Sequence, residues 1–206
     1  MAHILHLDAS PRGDRSVSRT LATEFITGWK TAHPSDTVAY RDIGHTALPF
    51  VTESWIAAAY SSPEQHTPEQ AEAIRVSNEL VDEFLAADRY VFSVPMYNFS
   101  IPANFKAYVD QIVRVGRTFS IEADGYKGLV HGKKMLIITA RGGSYPQGSA
   151  FEAYDMQAPY LRLIFSFIGI TEIEIIHIEN LMGGEDVKAK AVAQAQTEIE
   201  AAIARW

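Results

Sequence analysis

Short apolar runs and longer amphipathic stretches alternate along this chain, and their order predicts a series of strands and helices. Runs of apolar and β-branched residues predict five strands, at residues 3–7, 37–40, 90–94, 134–139 and 172–178. In the segments between them, apolar residues recur at intervals of three and four, the spacing that places them on one face of a helix. The pattern therefore predicts strands and helices in regular alternation.

The helical segments carry start signals of their own. The first begins near Ser16, and its apolar face carries Val17, Leu21, Phe25 and Trp29. Pro68, preceded by Thr67 and followed by Gln70, has the pattern of a capped helix start. We predict further helices at residues 104–115, 154–168 and 186–206. Residues 42–67 lack such a pattern, which predicts a long structureless connection.

A repeated β-α unit implies parallel strands joined by right-handed crossovers. The fourth strand is almost purely apolar, as expected for a strand that is covered on both faces. We therefore predict one domain over residues 1–206. Its expected α/β architecture is flavodoxin-like and doubly wound, with a five-stranded parallel sheet in the order 2-1-3-4-5 and helices on both faces. In such a sheet, the ligand lies at the carboxyl ends of strands 1, 3 and 4.

Composition narrows the chemistry that this fold can carry out. The formal net charge of −7 and the absence of a basic run argue against binding to nucleic acid. The chain has no cysteine, which excludes disulfides, thiolate nucleophiles and cysteine-ligated metals. The seven histidines show no metal-ligand spacing, so we expect no metal site. Any redox chemistry must therefore come from a bound cofactor.

We expect neither a membrane segment nor an export signal. The longest apolar stretch, at residues 163–170, is shorter than the ~20 residues that span a bilayer. The amino terminus enters an apolar strand directly, without the basic and apolar regions of a signal peptide. These features predict a cytoplasmic protein that contacts no membrane.

The loop after the first strand, at residues 10–18, is rich in hydroxyl groups and leads into a helix. Its serines and the free N–H groups of the helix start would suit a phosphate monoester. The loop lacks the glycine pattern of a dinucleotide site and the G-K-[ST] of a P-loop. A plain helix cap would explain the same residues. We expect Asp8 and Asp14, beside the loop, to be caps or solvated groups.

The loops after the third and fourth strands offer a surface for a flat ring. Residues 95–99 follow a buried strand and present Tyr97 and Phe99. The Gly-Gly pair at 142–143 permits positive φ and a close approach of the backbone to a ligand, and we expect the neighbouring Arg141 to be solvated. Core packing or an ordinary turn would explain either loop alone. Their common position at one edge of the sheet favours a bound heterocycle.

Together, these motifs resemble the FMN-dependent NADH:quinone oxidoreductases known as azoreductases, over essentially the whole chain. The resemblance implies that the first loop binds the FMN phosphate and that the other two loops hold the isoalloxazine. Ala140 stands where the family often has serine, which would remove one side-chain hydrogen bond. The implied cofactor-binding residues are Ser10, Ser16, Val17, Ser18, Met96, Tyr97, Asn98, Phe99, Ala140, Arg141, Gly142 and Gly143.

The resemblance also implies a reaction and a partner. NADH, or NADPH, would pass a hydride to N5 of the flavin, and a quinone or azo compound would then take two electrons at the same place, in a ping-pong sequence. No side chain would act as a catalytic residue, and Phe119 would line the acceptor pocket. The apolar residues in the connection at 42–67 predict a homodimer, with this segment and the helix at 104–115 near the interface.

Two other classes of function remain open on the sequence. A flavodoxin-type carrier would bind FMN and shuttle single electrons without oxidising NADH itself. A flavin-free α/β module, for example a regulatory or ligand-binding domain, would share the fold and bind no flavin. The long connection and the Met-Tyr-Asn-Phe motif at residues 96–99 favour an enzyme.

Overall fold

The computed structural model describes all 206 residues, 1–206, as seven strands and six α-helices. The strands are β1 (His3–Asp8), β2 (Thr37–Asp42), β3 (Arg89–Ser93), β4 (Phe119–Glu122), β5 (Gly125–Gly128), β6 (Lys134–Ala140) and β7 (Glu172–Ile178). The helices are α1 (Val17–Ala32), α2 (Glu53–Ala59), α3 (Pro68–Ala86), α4 (Ala103–Ile112), α5 (Ala158–Phe167) and α6 (Glu185–Arg205). None of these helices combines the length and the apolar character needed to cross a lipid bilayer.

Five of the strands form one parallel sheet in the order β2-β1-β3-β6-β7. The other two, β4 and β5, form a separate antiparallel hairpin. Without the hairpin, the strand order along the sheet is 2-1-3-4-5, so the predicted flavodoxin-like topology is confirmed. Because β1, β3 and β6 are neighbours in a parallel sheet, the loops that follow them leave from the same edge.

Helices cover both faces of this sheet, as predicted for a doubly wound fold. On one face, α3, α4 and α5 enclose a cluster of 22 buried apolar residues that includes Leu7, Phe92 and Ile137. On the other face, α1 and α6 enclose a cluster of 15 that includes Ile4 and Val91. Neighbouring residues of one strand thus belong to opposite cores, which is why the central strands are apolar throughout.

The connection between residues 42 and 67 is not structureless, contrary to the prediction. It contains α2, which Thr52 caps by accepting a hydrogen bond from the N–H of Trp55 at 3.2 Å. The buried indole of Trp55 donates to the side chain of Gln111 at 2.8 Å, which ties this segment to α4. A helix of seven residues is too short for helical periodicity to distinguish it from a loop.

Three further details differ from the predicted elements, the first being that α4 ends at Ile112 rather than at residue 115. The sequence pattern does not predict the β4–β5 hairpin, whose strands have only four residues each. The fourth predicted helix, α5, begins at Ala158 rather than at residue 154. It begins there because the carboxylate of Asp155 accepts hydrogen bonds from the backbone N–H groups of Gln157 and Ala158, both at 3.0 Å.

Candidate functional site

Three loops meet at the carboxyl edge of the sheet, after β1, β3 and β6. Backbone hydrogen bonds join these segments: the N–H of Ala9 donates to Ser93 at 3.0 Å, and the N–H of Met96 donates to Ala140 at 2.9 Å. The side chain of Asn104, in the first turn of α4, also donates to the carbonyl of Ala9 at 2.8 Å. The structure thus brings together the three loops that the sequence singles out.

The first loop presents hydroxyl groups and unpaired N–H groups at the start of α1. Ser10, Ser16 and Ser18 are all buried. The Ser16 hydroxyl caps α1 by accepting from the N–H of Arg19 at 3.5 Å, and it lies 3.3 Å from the Ser18 hydroxyl. The N–H groups of Val17 and Ser18 lie in the first turn, where no intrahelical acceptor exists. With the positive end of the helix dipole, these donors form a site for an anion.

Beneath this loop lies a buried polar cluster centred on Asp8, which is only 2 % exposed and is neither a cap nor solvated. Its carboxylate accepts hydrogen bonds from the hydroxyls of Ser93 and Tyr40. Burial opposes the ionisation of Asp8, but His6 and these two hydroxyls hold its pKa below the ordinary value. Burial and the Asp8 carboxylate together raise the pKa of Tyr40 to about 12, so this hydroxyl remains a donor.

The second loop is a tight reverse turn with a strained backbone. Tyr97 and Ser100 exchange two backbone hydrogen bonds, at 2.9 and 3.1 Å, around Asn98 and Phe99. Both central residues have positive φ, +47° and +70°, as in a type I′ turn. For a phenylalanine this conformation costs roughly 1–2 kcal/mol, and such strain clusters at functional sites. As a result, the N–H groups of Asn98 and Phe99 have no acceptor in the chain, and the Phe99 ring is exposed.

The third loop offers two further free N–H groups. The carbonyls of Gly142 and Gly143 accept from the N–H groups of Met182 and Asn180, at 3.2 and 3.1 Å, but their own N–H groups have no acceptor in the chain. Neither glycine has positive φ, so the left-handed conformation that glycine permits is not used here. The glycines instead leave space for the side chains of Met182 and Tyr145. A Cβ on Gly142 would lie 3.1 Å from the sulfur of Met182, and a Cβ on Gly143 would lie 3.2 Å from the Tyr145 hydroxyl.

Arg141 is buried, and the prediction that it is solvated is wrong. Only 1 % of the residue is exposed, and its guanidinium donates to Asp155 at 2.9 Å, to Glu179 at 3.4 Å and to Gln157 at 3.1 Å. Its backbone N–H donates to Ile178 at 2.8 Å. Arg141 therefore supports the third loop from behind and locks it to the start of α5. The two carboxylates that make this burial tolerable lie 14 and 38 positions away in sequence, where no local motif reveals them.

An open aromatic cleft of about 560 Å³ lies between the second and third loops. The Phe99 ring packs 5.0 Å from the ring of Tyr154 and 6.3 Å from that of Tyr145, between centroids. Flat apolar walls with backbone donors nearby suit a planar ring. The sequence points to only two of the lining residues, although the density of aromatic residues after the third loop was an available signal. The lining residues are Phe99, Gly143, Ser144, Tyr145, Phe151, Tyr154 and Asn180.

Phe119 lies away from this cleft in its own chain. Its ring packs against those of Phe167 and Tyr126, with centroids 5.0 and 6.1 Å apart, and it is not a lining residue. One chain alone therefore does not bring Phe119 to the other predicted site residues.

Comparisons with known proteins agree with the fold. Residues 2–203 match the family model described as flavodoxin-like fold. The chain is 62% identical over 207 residues to the FMN-dependent NADH:quinone oxidoreductase 2 of Trichormus variabilis, with 100% of both chains covered. It is similar in structure to an azoreductase from Bacillus anthracis, with a TM-score of 0.93, 30% identity and 100% of both chains covered. It is also similar to an FMN-dependent NADH-azoreductase from Bacillus anthracis solved in complex with FMN, with a TM-score of 0.90, 25% identity and coverage of 100% and 99%.

Proposed function

The chain belongs to the flavodoxin-like family of FMN-dependent NADH:quinone oxidoreductases, and we propose that it is itself such an enzyme, acting as a single FMN-binding domain over residues 1–206. One observation carries the proposal: an anion site at the start of α1 lies at the same sheet edge as two loops whose free N–H groups border an aromatic cleft. A flat heterocycle that carries a phosphate monoester is the ligand that uses both halves of this arrangement.

The residues at the sheet edge fit FMN. For the phosphate, the hydroxyls of Ser10, Ser16 and Ser18 and the N–H groups that begin α1 supply donors at the positive end of a helix. The isoalloxazine would lie against Met96 and Tyr97 of the second loop and against Ala140, where the third loop begins. Alanine at that position offers no side-chain hydroxyl to the ring. The donors for the heteroatoms of the ring are the unpaired N–H groups of Asn98, Phe99, Gly142 and Gly143.

When bound, FMN would supply the redox chemistry, because its ring system accepts two electrons and returns them. The residues of this chain would hold the flavin, shield it and stabilise its reduced form. Unpaired N–H groups along the ring would stabilise the negative charge that two-electron reduction creates. The aromatic walls at Phe99, Tyr145 and Tyr154 would hold the nicotinamide of NADH and then, after it leaves, a quinone in its place. In the balanced reaction, NADH, a proton and a quinone give NAD⁺ and a hydroquinone, and an azo bond needs two such rounds to give two amines.

Steady-state kinetics test this proposal. Initial rates of benzoquinone reduction by the FMN-loaded protein, measured at several fixed NADH concentrations, should give parallel lines in double-reciprocal plots. Parallel lines are expected because donor and acceptor use one cleft in turn. Intersecting lines would require both substrates to be bound together and would contradict a shared cleft.

A one-electron carrier of the flavodoxin type is the second candidate, and the comparisons favour it less. A carrier would use the cleft beside Phe99 and Gly143 for its flavin as an enzyme would, but the relative that is 62% identical over the whole chain is an FMN-dependent NADH:quinone oxidoreductase. In a flavin-free module, the unpaired N–H groups of the second and third loops would have no flavin to bind. NADH alone should reduce the flavin of an enzyme, while a carrier would need a separate reductase.

We further propose that two copies of the chain associate through the face formed by α2 and α4. Phe50, Ile56 and Tyr60 are exposed there, beside an apolar groove of about 270 Å³ between α2, α4 and α5. Exposed apolar surface of this kind is typical of an interface. Phe119 as an acceptor-pocket residue stays a prediction that only a second copy can satisfy. Light scattering should give the mass of two chains, and the mass of one chain at micromolar concentration would contradict the dimer.

A further inference from the structure

Arg19 is a cation in the first turn of α1, at the end of the helix that attracts anions rather than cations. The residue is only 8 % exposed. Its backbone N–H donates to the hydroxyl of the cap residue Ser16 at 3.5 Å, and its side-chain Nε donates to the carbonyl of Ser10 at 2.7 Å. One residue thus contacts both ends of the loop that runs from Ser10 to Ser16.

The charge of Arg19 is neutralised within the protein. Its two Nη atoms donate to Asp42 at 2.8 and 2.5 Å, and Nη1 lies 3.4 Å from the carboxylate of Asp8. Burial would raise the pKa of Asp42, but hydrogen bonds from Arg19 and His45 hold it well below the ordinary value. A guanidinium between two carboxylates has little charge left for a phosphate. Its contribution must therefore come from the shape that it imposes on the loop.

The segment that follows β2 packs closely around this ion pair. A Cβ on Gly44 would lie 2.2 Å from the carbonyl oxygen of Ser10 and 2.5 Å from Nη2 of Arg19. The N–H of Gly44 also donates to Asp42 at 2.9 Å. Gly44 therefore packs directly on Ser10 of the first loop, and the guanidinium of Arg19 contacts both residues.

We propose that Arg19 is a positioning residue for the phosphate group of the flavin, and that it sets how strongly this protein prefers FMN to riboflavin. By holding the carbonyl of Ser10 in place, the side chain of Arg19 keeps the donors of the loop in the arrangement that a phosphate monoester requires. This inference rests on the proposed function in taking FMN as the ligand. Arg19 makes no hydrogen bond to the second or third loop, so binding of the ring should not depend on it.

Arg19→Lys tests the proposal, because lysine keeps the charge but cannot hold Ser10 and both oxygens of Asp42 at once. The full-length chain, freed of flavin, is titrated with FMN and with riboflavin, and the quenching of flavin fluorescence gives each Kd. We expect the Kd for FMN to rise about tenfold or more, because a displaced loop loses a charge-assisted hydrogen bond to the phosphate. The Kd for riboflavin, which has no phosphate, should change by less than about twofold.

Arg41→Lys is the matched control. Arg41 precedes Asp42 and makes its own bidentate ion pair with Glu83, at 3.0 and 2.9 Å, without contacting the first loop. This variant should leave both Kd values unchanged. If circular dichroism shows that Arg19→Lys does not fold, Asp42→Asn carries the test with the same expected pattern. The proposal is overturned by an equal loss of affinity for both flavins, by no loss, or by an equal effect of Arg41→Lys.

Failure of the proposed function has a different signature. A wild-type chain that binds FMN but is not reduced by NADH would remove the oxidoreductase function and leave the role of Arg19 intact. A wild-type chain that binds FMN no more tightly than riboflavin would overturn the role of Arg19, whatever its activity. A chain that binds neither flavin would overturn both.

Discussion

The phosphate half and the ring half of the candidate site are built from different groups. On the phosphate side, the donors include side-chain hydroxyls, and a buried ion pair between Arg19 and Asp42 holds the loop that carries them. On the ring side, the donors are backbone N–H groups, which a strained turn and two glycines leave free. Side-chain donors can be removed one at a time by mutation. Backbone donors respond instead to changes in the residues that support them.

The largest effect should follow a change behind the ring side. Arg141→Met leaves Asp155 and Glu179 without their buried cation, which should lower the free energy of unfolding by about 3 kcal/mol in urea titrations. The affinities for FMN and riboflavin should fall together, the opposite pattern to Arg19→Lys. Arg75→Met, which removes only exposed ion pairs, should change neither stability nor affinity. Unchanged riboflavin binding in Arg141→Met would contradict the division of the site.

The ring side should also be the more sensitive to acid. Burial and the charge of Arg141 lower the pKa of His177, which contacts Thr139 at the end of β6, from 6.5 to about 4. The unfolded chain therefore binds more protons than the folded one between these pH values, so stability should fall by about 2 kcal/mol from pH 7 to pH 5. His177→Gln should remove most of this fall in urea titrations at the two pH values, whereas His131→Gln, at an exposed site, should retain it. An identical fall in stability in both variants would mean that a group other than His177 causes the acid sensitivity.

Removal of a single hydroxyl from the first loop should weaken the binding of the phosphate and leave the binding of the ring unchanged. Ser18→Ala should raise the Kd for FMN about tenfold by removing one donor to a charged group, and should leave the Kd for riboflavin unchanged. Thr20→Ala is the control in the same helical turn, because the Thr20 hydroxyl is already bonded to the carbonyl of Ser16 at 3.0 Å. If Ser18→Ala raised the Kd for FMN and the Kd for riboflavin equally, the hydroxyl would not be a phosphate donor.

The smallest effect should separate the strain at Phe99 from the contribution of its ring. Phe99→Ala and Phe99→Gly both remove the ring, so both should weaken flavin retention to the same degree. Glycine alone tolerates the left-handed backbone, so Phe99→Gly should be about 1 kcal/mol more stable than Phe99→Ala in urea titrations. Equal stabilities would mean that the turn carries no strain at this position.

Features that a local pattern records could be predicted from the sequence, and features that depend on distant residues could not. Alternating strands and helices predict a parallel sheet, and five such strands fit the flavodoxin-like order. The hydroxyls of Ser10, Ser16 and Ser18 can be read directly from the sequence. The buried pairings of Arg141 and Arg19 join residues from separate elements, so local patterns indicate neither. Phe99 has a positive φ, which a phenylalanine side chain disfavours, so its residue type gives no indication of this conformation. The conformation becomes visible only in the folded turn. Short elements such as α2 and the β4–β5 hairpin offer too few residues for periodicity to be detected.

The central claim is that this chain holds FMN and passes electrons in pairs from NADH to a quinone. Its most direct test is the visible absorption spectrum of the purified protein with FMN, recorded without oxygen before and after addition of NADH and then of benzoquinone. We expect a bound-flavin spectrum that NADH bleaches and benzoquinone restores. A bound flavin that NADH does not bleach would contradict the claim and indicate a carrier or an NADPH-dependent enzyme. The absence of any bound flavin would contradict the assignment of the three loops.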